Sequence, residues 1–363
     1  MTPLESIIKQ LILADGPISI ARFMELCLAH PTLGYYMTRD PFGKAGDFTT
    51  APEISQMFGE LIGLWAADAW QKMGSPSKVA LVELGPGRGT LMSDALRAAK
   101  SAPDFSASLE VQLVEISPIL QDIQRATLKN HDVTWHQSIN TLPSLPSIII
   151  ANEFFDALPI RQFIKQPTGW HERLIGFDSN NELIFGLAQN NTQNFELRCP
   201  SPLEGESVPE GRERGIKNGS IFEISQTSCD VIITLSTHLK SNSGAALFID
   251  YGHIKSGFGD TLQALKAHKT IDPLDDIGEA DITAHVDFER LAQTAVNAGI
   301  KVQQLTKQAE FLEQLGIHHR AATLIKNAKT EAQKQDIDTA LQRLTDRSPT
   351  GMGSLFKVLE LVV

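Results

Sequence analysis

Three glycines in five residues, Gly85, Gly87 and Gly89, directly follow an apolar run. Glycines at this spacing permit a tight turn, and they let the backbone approach a ligand without interference from Cβ atoms. Thr90 is predicted to cap the helix that follows, from Leu91 to Lys100. By itself such a turn indicates a nucleotide-like ligand, or a plain connection between a strand and a helix.

Two acidic residues stand where they could hold the polar groups of a nucleotide-like ligand. Glu115 ends the second apolar run and could accept hydrogen bonds from both hydroxyls of a ribose, as acidic residues do in dinucleotide folds. A solvent-exposed glutamate at a strand end is the alternative. Glu83 could hold an amino group through a charge-assisted hydrogen bond, or it could merely cap the amides of the loop.

The eight residues from Asn152 to Pro159 combine carboxylates with aromatic rings. One of the two phenylalanines could face a positive charge, and Glu153 or Asp156 could orient or deprotonate a nucleophile. Asn152 is predicted to contact the cofactor. A capped turn that buries its phenylalanines is the alternative interpretation.

A turn-rich stretch from residue 30 to residue 53 is a candidate lid, since it is a long loop that feeds a helix. Gly46, Asp47 and Thr49 would offer small, acidic and hydroxyl groups to the cofactor from this loop. After Glu153 and Asp156, Asp47 and Asp250 are the next candidates for orienting a nucleophile. No metal site is predicted, because the histidines show no spacing with carboxylates that demands one and the three cysteines form no Cys-x-x-Cys pair.

These residues follow short β-branched runs that alternate with helical segments. The runs span residues 79–84, 111–116, 133–136, 148–151 and 245–249. Such alternation predicts a parallel sheet built from right-handed crossovers. In an open parallel sheet, ligands bind at the carboxyl ends of the strands where the strand order reverses. We therefore expect the candidate residues to meet at one edge of the sheet.

The remaining patterns divide the chain into three parts. Residues 1–75 are predicted to hold a helical region and the candidate lid, because apolar residues recur at helical spacing near the N-terminus. Residues 76–159 and 220–363 are predicted to form the core. A period-two pattern followed by a polar stretch rich in proline and glycine predicts an antiparallel β insertion and an exposed loop at residues 160–219.

Composition excludes some classes of protein. A formal net charge of -11 disfavours binding to a nucleic-acid backbone. No apolar run reaches the roughly 18 to 20 residues that cross a bilayer. The first thirty residues show neither a secretory signal nor a transit peptide, and with the cysteine spacing this leads us to expect a cytoplasmic protein.

With these residues in hand, the chain resembles the MidA-like methyltransferases, a family that includes mitochondrial complex I assembly factors of the protein arginine methyltransferase type. The resemblance covers nearly the whole chain. Seven segments carry the resemblance in order: Gly34–Tyr36, Gly46–Glu53, Val82–Met92, Val114–Pro118, Asn152–Pro159, Ile249–Gly252 and Ala280–Phe288.

The resemblance implies S-adenosylmethionine as the cofactor and a class I methyltransferase fold. This fold is a Rossmann-like α/β sheet of seven mostly parallel strands, with the last strand antiparallel. The family's known activity, symmetric dimethylation of a protein arginine needed for respiratory complex I assembly, is implied for its mitochondrial branch. It suggests a protein arginine, in a respiratory-complex subunit, as the acceptor. Asp156 and Glu153 would then orient the guanidinium through bidentate hydrogen bonds.

Two alternatives to this hypothesis stay open. A dehydrogenase that uses NAD would share the glycine turn and the acidic strand end, but Pro86 removes an amide donor that a pyrophosphate would use, and the glycine spacing differs. A non-catalytic assembly protein would keep the cofactor fold for stability alone. The intact Gly85, Gly87 and Glu115 argue mildly against it.

Overall fold

The computed structural model describes residues 1–41, 50–189 and 216–363. In these ranges the strands, in chain order, are β1 (Ile18–Ser19), β2 (Val79–Leu84), β3 (Leu109–Val114), β4 (Val133–His136), β5 (Ser147–Asn152), β6 (Arg161–Gln166), β7 (Gly169–Phe177), β8 (Leu183–Leu187), β9 (Ile221–Ile224), β10 (Gly244–His253), β11 (Gln263–Lys266), β12 (Lys269–Ile271), β13 (Asp281–Thr283), β14 (Val286–Asp287), β15 (Lys301–Lys307) and β16 (Phe356–Val362).

The helices begin with a group that precedes the first core strand. They are α1 (Pro3–Asp15), α2 (Ile20–Ala29), α3 (Tyr35–Thr38), α4 (Ala51–Ile54), α5 (Gln56–Lys72), α6 (Thr90–Ala99), α7 (Pro103–Ser108), α8 (Pro118–Thr127), α9 (Gln226–Asn242), α10 (Phe288–Asn297), α11 (Gln308–Gln314), α12 (Ile317–Asn327), α13 (Glu331–Thr345) and α14 (Met352–Leu355). Across the described ranges, none of them is long and apolar enough to cross a membrane.

The main sheet has the strand order β4-β3-β2-β5-β10-β16-β15, and the short β14 pairs with the end of β10. Strands β4, β3, β2, β5 and β10 are parallel to one another. Strand β16 is antiparallel to both of its neighbours, β10 and β15. The expected sheet with an antiparallel last strand is therefore confirmed. The strand order reverses at β2, which lies between β3 and β5, so a binding crevice belongs at the carboxyl end of β2.

The central strands β2, β5 and β10 are apolar along most of their length because both faces of the sheet are covered, and the polar Glu83, Asn152 and Asp250 lie towards their carboxyl ends. Successive side chains of a strand point to opposite faces. Leu81 accordingly packs with Trp65 of α5 and Leu91 of α6 in one core. Its neighbour Val82 packs with Ile232 of α9 in the other core.

A third core lies outside the main sheet and joins segments that are distant in sequence. Helices α1 and α2 pack there against β7 and β8 and against the small sheet of β11, β12 and β13. Leu4, Phe23, Ile175 and Ile282 are among its buried residues. We call this unit of α1, α2, β7, β8 and β11 to β13 the cap. The division of the chain at residues 75, 159 and 219 remains a prediction.

Candidate active site

The glycine turn adopts backbone angles that favour glycine. The φ angles of Gly85, Gly87 and Gly89 are 58°, 53° and 79°. At Gly85 an added Cβ would also lie only 2.9 Å from Cδ2 of Phe154. The ring of Phe154 thus packs directly on the turn, and no side chain larger than hydrogen fits at position 85 without displacement.

Helix α6 begins one residue earlier than expected. Its N-cap is Gly89, so the prediction that Thr90 caps the helix is wrong. The Thr90 hydroxyl instead donates a hydrogen bond to Oε1 of Glu53, at 2.5 Å. Arg88 donates two hydrogen bonds to Oδ2 of Asp40, at 2.9 and 2.7 Å. Three predicted cofactor contacts lie outside the described residues: Gly46, Asp47 and Thr49.

Glu83 and Asn152 end neighbouring strands and present buried acceptor atoms to a small cavity under the glycine turn. The Glu83 side chain is only 3% exposed, and its Oε2 atom has no hydrogen-bond partner among the described residues. The same holds for Oδ1 of Asn152. Burial raises the pKa of Glu83 to about 8, against the effect of a hydrogen bond from the Met92 amide. These two acceptors fit a small ligand group that carries N–H donors, such as an ammonium.

Glu115 follows β3 and is fixed by its own neighbourhood. Its Oε1 accepts a hydrogen bond from the Ser117 amide at 2.8 Å, and its Oε2 accepts one from Gln124 at 3.2 Å. A carboxylate can accept about four hydrogen bonds, so capacity is left for two ribose hydroxyls. Ile116, 49% exposed, and Leu120 line the cavity beside Glu115 and offer an apolar surface for a flat ring.

A cavity of about 860 Å³ extends from Glu115 into the space between the sheet edge and the cap. Helix α2 of the cap forms part of its wall. The side chains that give it an acidic and phenolic character are those of Tyr36, Glu115, Glu153, Asp156, Tyr251 and Asp281. The structure therefore brings Gly85, Gly87, Glu115, Glu153 and Asp156 to one cavity, as the strand-end rule predicts.

Asp156 is held in place by Asp250. Oδ2 of Asp250 accepts hydrogen bonds from the amides of Phe154, Phe155 and Asp156, at 3.1, 2.9 and 3.3 Å. Asp156 is 7% exposed, and its Oδ1 atom has no partner within the described part of the chain. Burial raises the pKa of Asp156 to about 6, opposed by hydrogen bonding from Tyr251. Asp156 thus offers the cavity a rigidly placed acceptor.

Glu153 has a different environment. Its backbone is in the left-handed region, with φ at 50°. Its Oε1 accepts hydrogen bonds from the Ala51 amide at 3.0 Å and from the Asn152 side chain at 3.1 Å. Burial raises the pKa of Glu153 to about 7, opposed chiefly by the bond from Ala51. Glu153 therefore joins the end of β5 to the start of α4 while it also lines the cavity.

Several residues of this cavity were not predicted as site residues. Tyr36, Tyr251 and Asp281 lie in segments that carry the family resemblance, but no role was predicted for them. Tyr36 and Asp281 belong to segments that do not follow a parallel core strand. The strand-end rule could not find them, whereas their place in those segments was an available signal.

The sheet order, the glycine turn and the acidic cavity at the switch point together define a class I methyltransferase. Residues 61–306 match the model of a family described as "Putative S-adenosyl-L-methionine-dependent methyltransferase". The chain belongs to this family, and it is an enzyme that uses S-adenosylmethionine.

Two curated relatives match over nearly the whole of this chain. The chain is 36% identical over 388 residues to the mitochondrial protein arginine methyltransferase NDUFAF7 homolog of Drosophila melanogaster, covering 98% of this chain and 84% of that protein. It is 34% identical over 386 residues to the mitochondrial protein arginine methyltransferase NDUFAF7 of Danio rerio, covering 99% and 87%.

Solved structures share the fold. The S-adenosyl-homocysteine complex of a protein from Burkholderia thailandensis matches with a TM-score of 0.83 and 28% identity, covering 99% of this chain and 92% of that one. A native structure from the same organism matches with a TM-score of 0.78 and 28% identity, covering 99% and 91%. The fold class expected from the resemblance is therefore confirmed.

The expectation of a cytoplasmic protein is contradicted. The relatives from Drosophila melanogaster, Danio rerio and Rattus norvegicus are all mitochondrial proteins. The first thirty residues and the cysteine spacing are an insufficient basis for assigning a compartment.

Proposed function

We propose that this enzyme transfers methyl groups from S-adenosylmethionine to arginine side chains of a protein. The observation that carries the proposal is Asp156, a buried carboxylate with one oxygen that has no partner among the described residues, in a cavity that begins at the glycine turn. A buried acceptor without a donor costs free energy, and a guanidinium offers paired N–H donors with a matching charge. The arginine methyltransferase relatives support the same acceptor.

The acceptor atoms at the sheet edge fit the cofactor group by group. Glu83 and Oδ1 of Asn152 would receive the ammonium of its amino-acid end, and Glu115 would receive the ribose hydroxyls. The glycines of the turn would let the backbone approach the cofactor closely. Gly89 and Thr90 of this segment begin α6. When bound, S-adenosylmethionine supplies a methyl group on a positively charged sulfur.

Asp156 would orient the guanidinium so that one nitrogen faces the methyl donor. The methylated nitrogen must then lose a proton, and a carboxylate with a pKa of about 6 can hold it briefly. Glu153 lines the same cavity, and its pKa of about 7 suits a group that takes the proton on towards solvent. We propose that the arginine belongs to a respiratory-complex subunit, as the family resemblance implies.

The test uses arrayed peptides that each hold one arginine, with labelled S-adenosylmethionine and mass spectrometry of the products. Asp156→Asn should lower kcat at least about 100-fold while the Kd of S-adenosylmethionine, measured by calorimetry, changes less than about threefold. Asp132→Asn, at an exposed position, is the matched control. Full transfer by Asp156→Asn, or methyl groups found only on lysine, would contradict the proposal.

A further inference from the structure

The cap contributes a second buried carboxylate to the lining of this cavity. Asp281 lies on β13 and is 6% exposed. The hydroxyl of Tyr36 donates a hydrogen bond to its Oδ1 atom at 2.9 Å. This bond helps to fix the orientation of the carboxylate. Asp281 is thus positioned by the fold in the same way as Asp156.

Two observations show that Asp281 and Asp156 are close. The amide of Ala284, which directly follows β13, donates a hydrogen bond to the backbone carbonyl of Asp156 at 3.0 Å. The charges of both carboxylates also act on the same two phenols, since each contributes to a raised pKa of Tyr36 and of Tyr251, after the larger effect of burial. Both carboxylates therefore lie within electrostatic range of one point in the cavity.

Glu153 is less suited than Asp281 to share the acceptor with Asp156. Its Oε1 atom already accepts hydrogen bonds from the Ala51 amide and from the side chain of Asn152, a residue of the cofactor end of the site. It also follows β5 on the same turn as Asp156, whereas Asp281 approaches from the cap. A planar ligand that is held along two of its edges needs acceptors from two different segments of the chain.

We propose that Asp281, fixed by Tyr36, is the second carboxylate of the acceptor site and that Asp156 and Asp281 together receive the N–H groups of one guanidinium. This inference rests on the proposed arginine acceptor. A guanidinium presents five N–H donors in a plane, more than one carboxylate can take. A lysine ammonium presents only three donors from a single nitrogen, whereas the guanidinium presents five donors spread over three nitrogens, so we expect the pair to favour arginine over lysine.

The experiment measures binding separately from methyl transfer. The probe is the peptide acetyl-Gly-Gly-Arg-Gly-Gly-amide, titrated by NMR into the protein saturated with S-adenosyl-homocysteine, which donates no methyl group. Peptides with lysine or with citrulline, the neutral isostere of arginine, are compared. Asp281→Asn should weaken arginine binding about tenfold or more. Asp275→Asn, an exposed acidic residue of the segment between β12 and β13, should leave it unchanged.

Tyr36→Phe is a second variant that keeps the charge of the site. It should weaken arginine binding about three- to tenfold, and in the transfer assay raise KM with little change in kcat, because Asp281 loses its orienting donor. Equal binding of arginine by wild type and Asp281→Asn, or equal binding of citrulline and arginine by wild type, overturns the inference. Binding that depends on Asp281 without methylation of any arginine would instead refute the proposed reaction and leave the subsite intact.

Discussion

At the scale of single residues, the site is marked by buried acceptor atoms that have no hydrogen-bond partner among the residues that the structure describes. Glu83, Asn152 and Asp156 each bury such an atom, and all three line the cavities at the carboxyl ends of β2 and β5. A folded protein tolerates these atoms at a cost in stability. A ligand that carries N–H donors recovers that free energy, which couples binding to stability.

Glu83 should make the stability of the ligand-free protein depend on pH. Its folded pKa of about 8 exceeds the ordinary value of 4.5, so the folded chain binds the proton more tightly than the unfolded chain. The free energy of unfolding therefore falls as pH rises from about 4.5 to 8. Glu83→Gln should remove the part of this fall that Glu83 contributes, while Glu153 and Asp156 keep theirs, and gain at least about 1 kcal/mol over wild type at pH 8.

Urea unfolding of both proteins at pH 5.5 and pH 8 measures this difference. The same variant should bind S-adenosylmethionine about tenfold or more weakly, since a neutral amide cannot pair with an ammonium. Parallel pH dependence in wild type and Glu83→Gln would show that Glu83 does not carry the effect.

Gly85→Ala tests the close approach of the turn and Phe154. The substitution meets both a φ of 58° and a ring carbon at 2.9 Å, so we expect a loss of about 2–3 kcal/mol in unfolding free energy and a large loss of cofactor affinity. Gly16→Ala is the control, because φ there is 91° and no atom lies within 4 Å of the added Cβ. It should cost about 1–2 kcal/mol and leave the affinity unchanged. Equal effects of the two variants would argue against the packing contact.

At the scale of elements, the turn after β5 is held by β10. Asp250 lies near the end of β10 and its carboxylate collects three amides of that turn, while a fourth, that of Tyr251, donates to its other oxygen. Two neighbouring parallel strands are thus connected at their carboxyl ends by one side chain. This places Asp250 in a positioning role behind Asp156.

Asp250→Ala should lower the unfolding free energy by about 2–4 kcal/mol, because buried amides lose their common acceptor. Methyl transfer should fall more than the affinity for S-adenosylmethionine, since the turn that carries Asp156 loses its support. Thermal unfolding and a KM and kcat analysis at a temperature where the variant is folded give the result. A variant with wild-type kcat would exclude the positioning role.

The elements of the core could be predicted from sequence because their signals are local. Strands β2 and β4 match the runs predicted at 79–84 and 133–136 to the residue, since β-branched, aromatic and other apolar side chains give both segments a local strand signal. Strands β11 and β12 were missed, because segments of three or four residues with several polar side chains give no period. The role of Asp281 was hidden because it depends on a tertiary contact with Tyr36, 245 residues away.

At the scale of the whole molecule, the buried charges that stabilise the fold are different residues from the buried carboxylates that line the cavity. Glu60 of α5 accepts hydrogen bonds from Arg97 of α6 at 3.2 and 3.0 Å. It also accepts them from Arg320 of α12 at 2.6 and 3.0 Å. This ion-pair network joins three helices on the face of the sheet formed by α5 and α6 and does not line the cavity.

Glu60→Gln should therefore destabilise the protein by about 1–3 kcal/mol while the Kd of S-adenosylmethionine stays within about twofold. Asp68→Asn, in an exposed pair with Lys72 on the same helix, should cost less than about 0.5 kcal/mol. Denaturant unfolding and calorimetry on the same samples separate the two effects. A marked loss of cofactor affinity in Glu60→Gln would contradict the separation.

The cap joins two helices near the N-terminus to strands that follow much later in the chain, and this has a consequence during synthesis on the ribosome. A nascent chain that has emerged only to about residue 160 already holds the glycine turn, Glu115 and Asp156, but it lacks Asp281 and the strand that carries it. Helices α1 and α2 must wait with an exposed apolar face until β11 to β13 arrive. Chaperone dependence and premature proteolysis should consequently concentrate on these N-terminal helices.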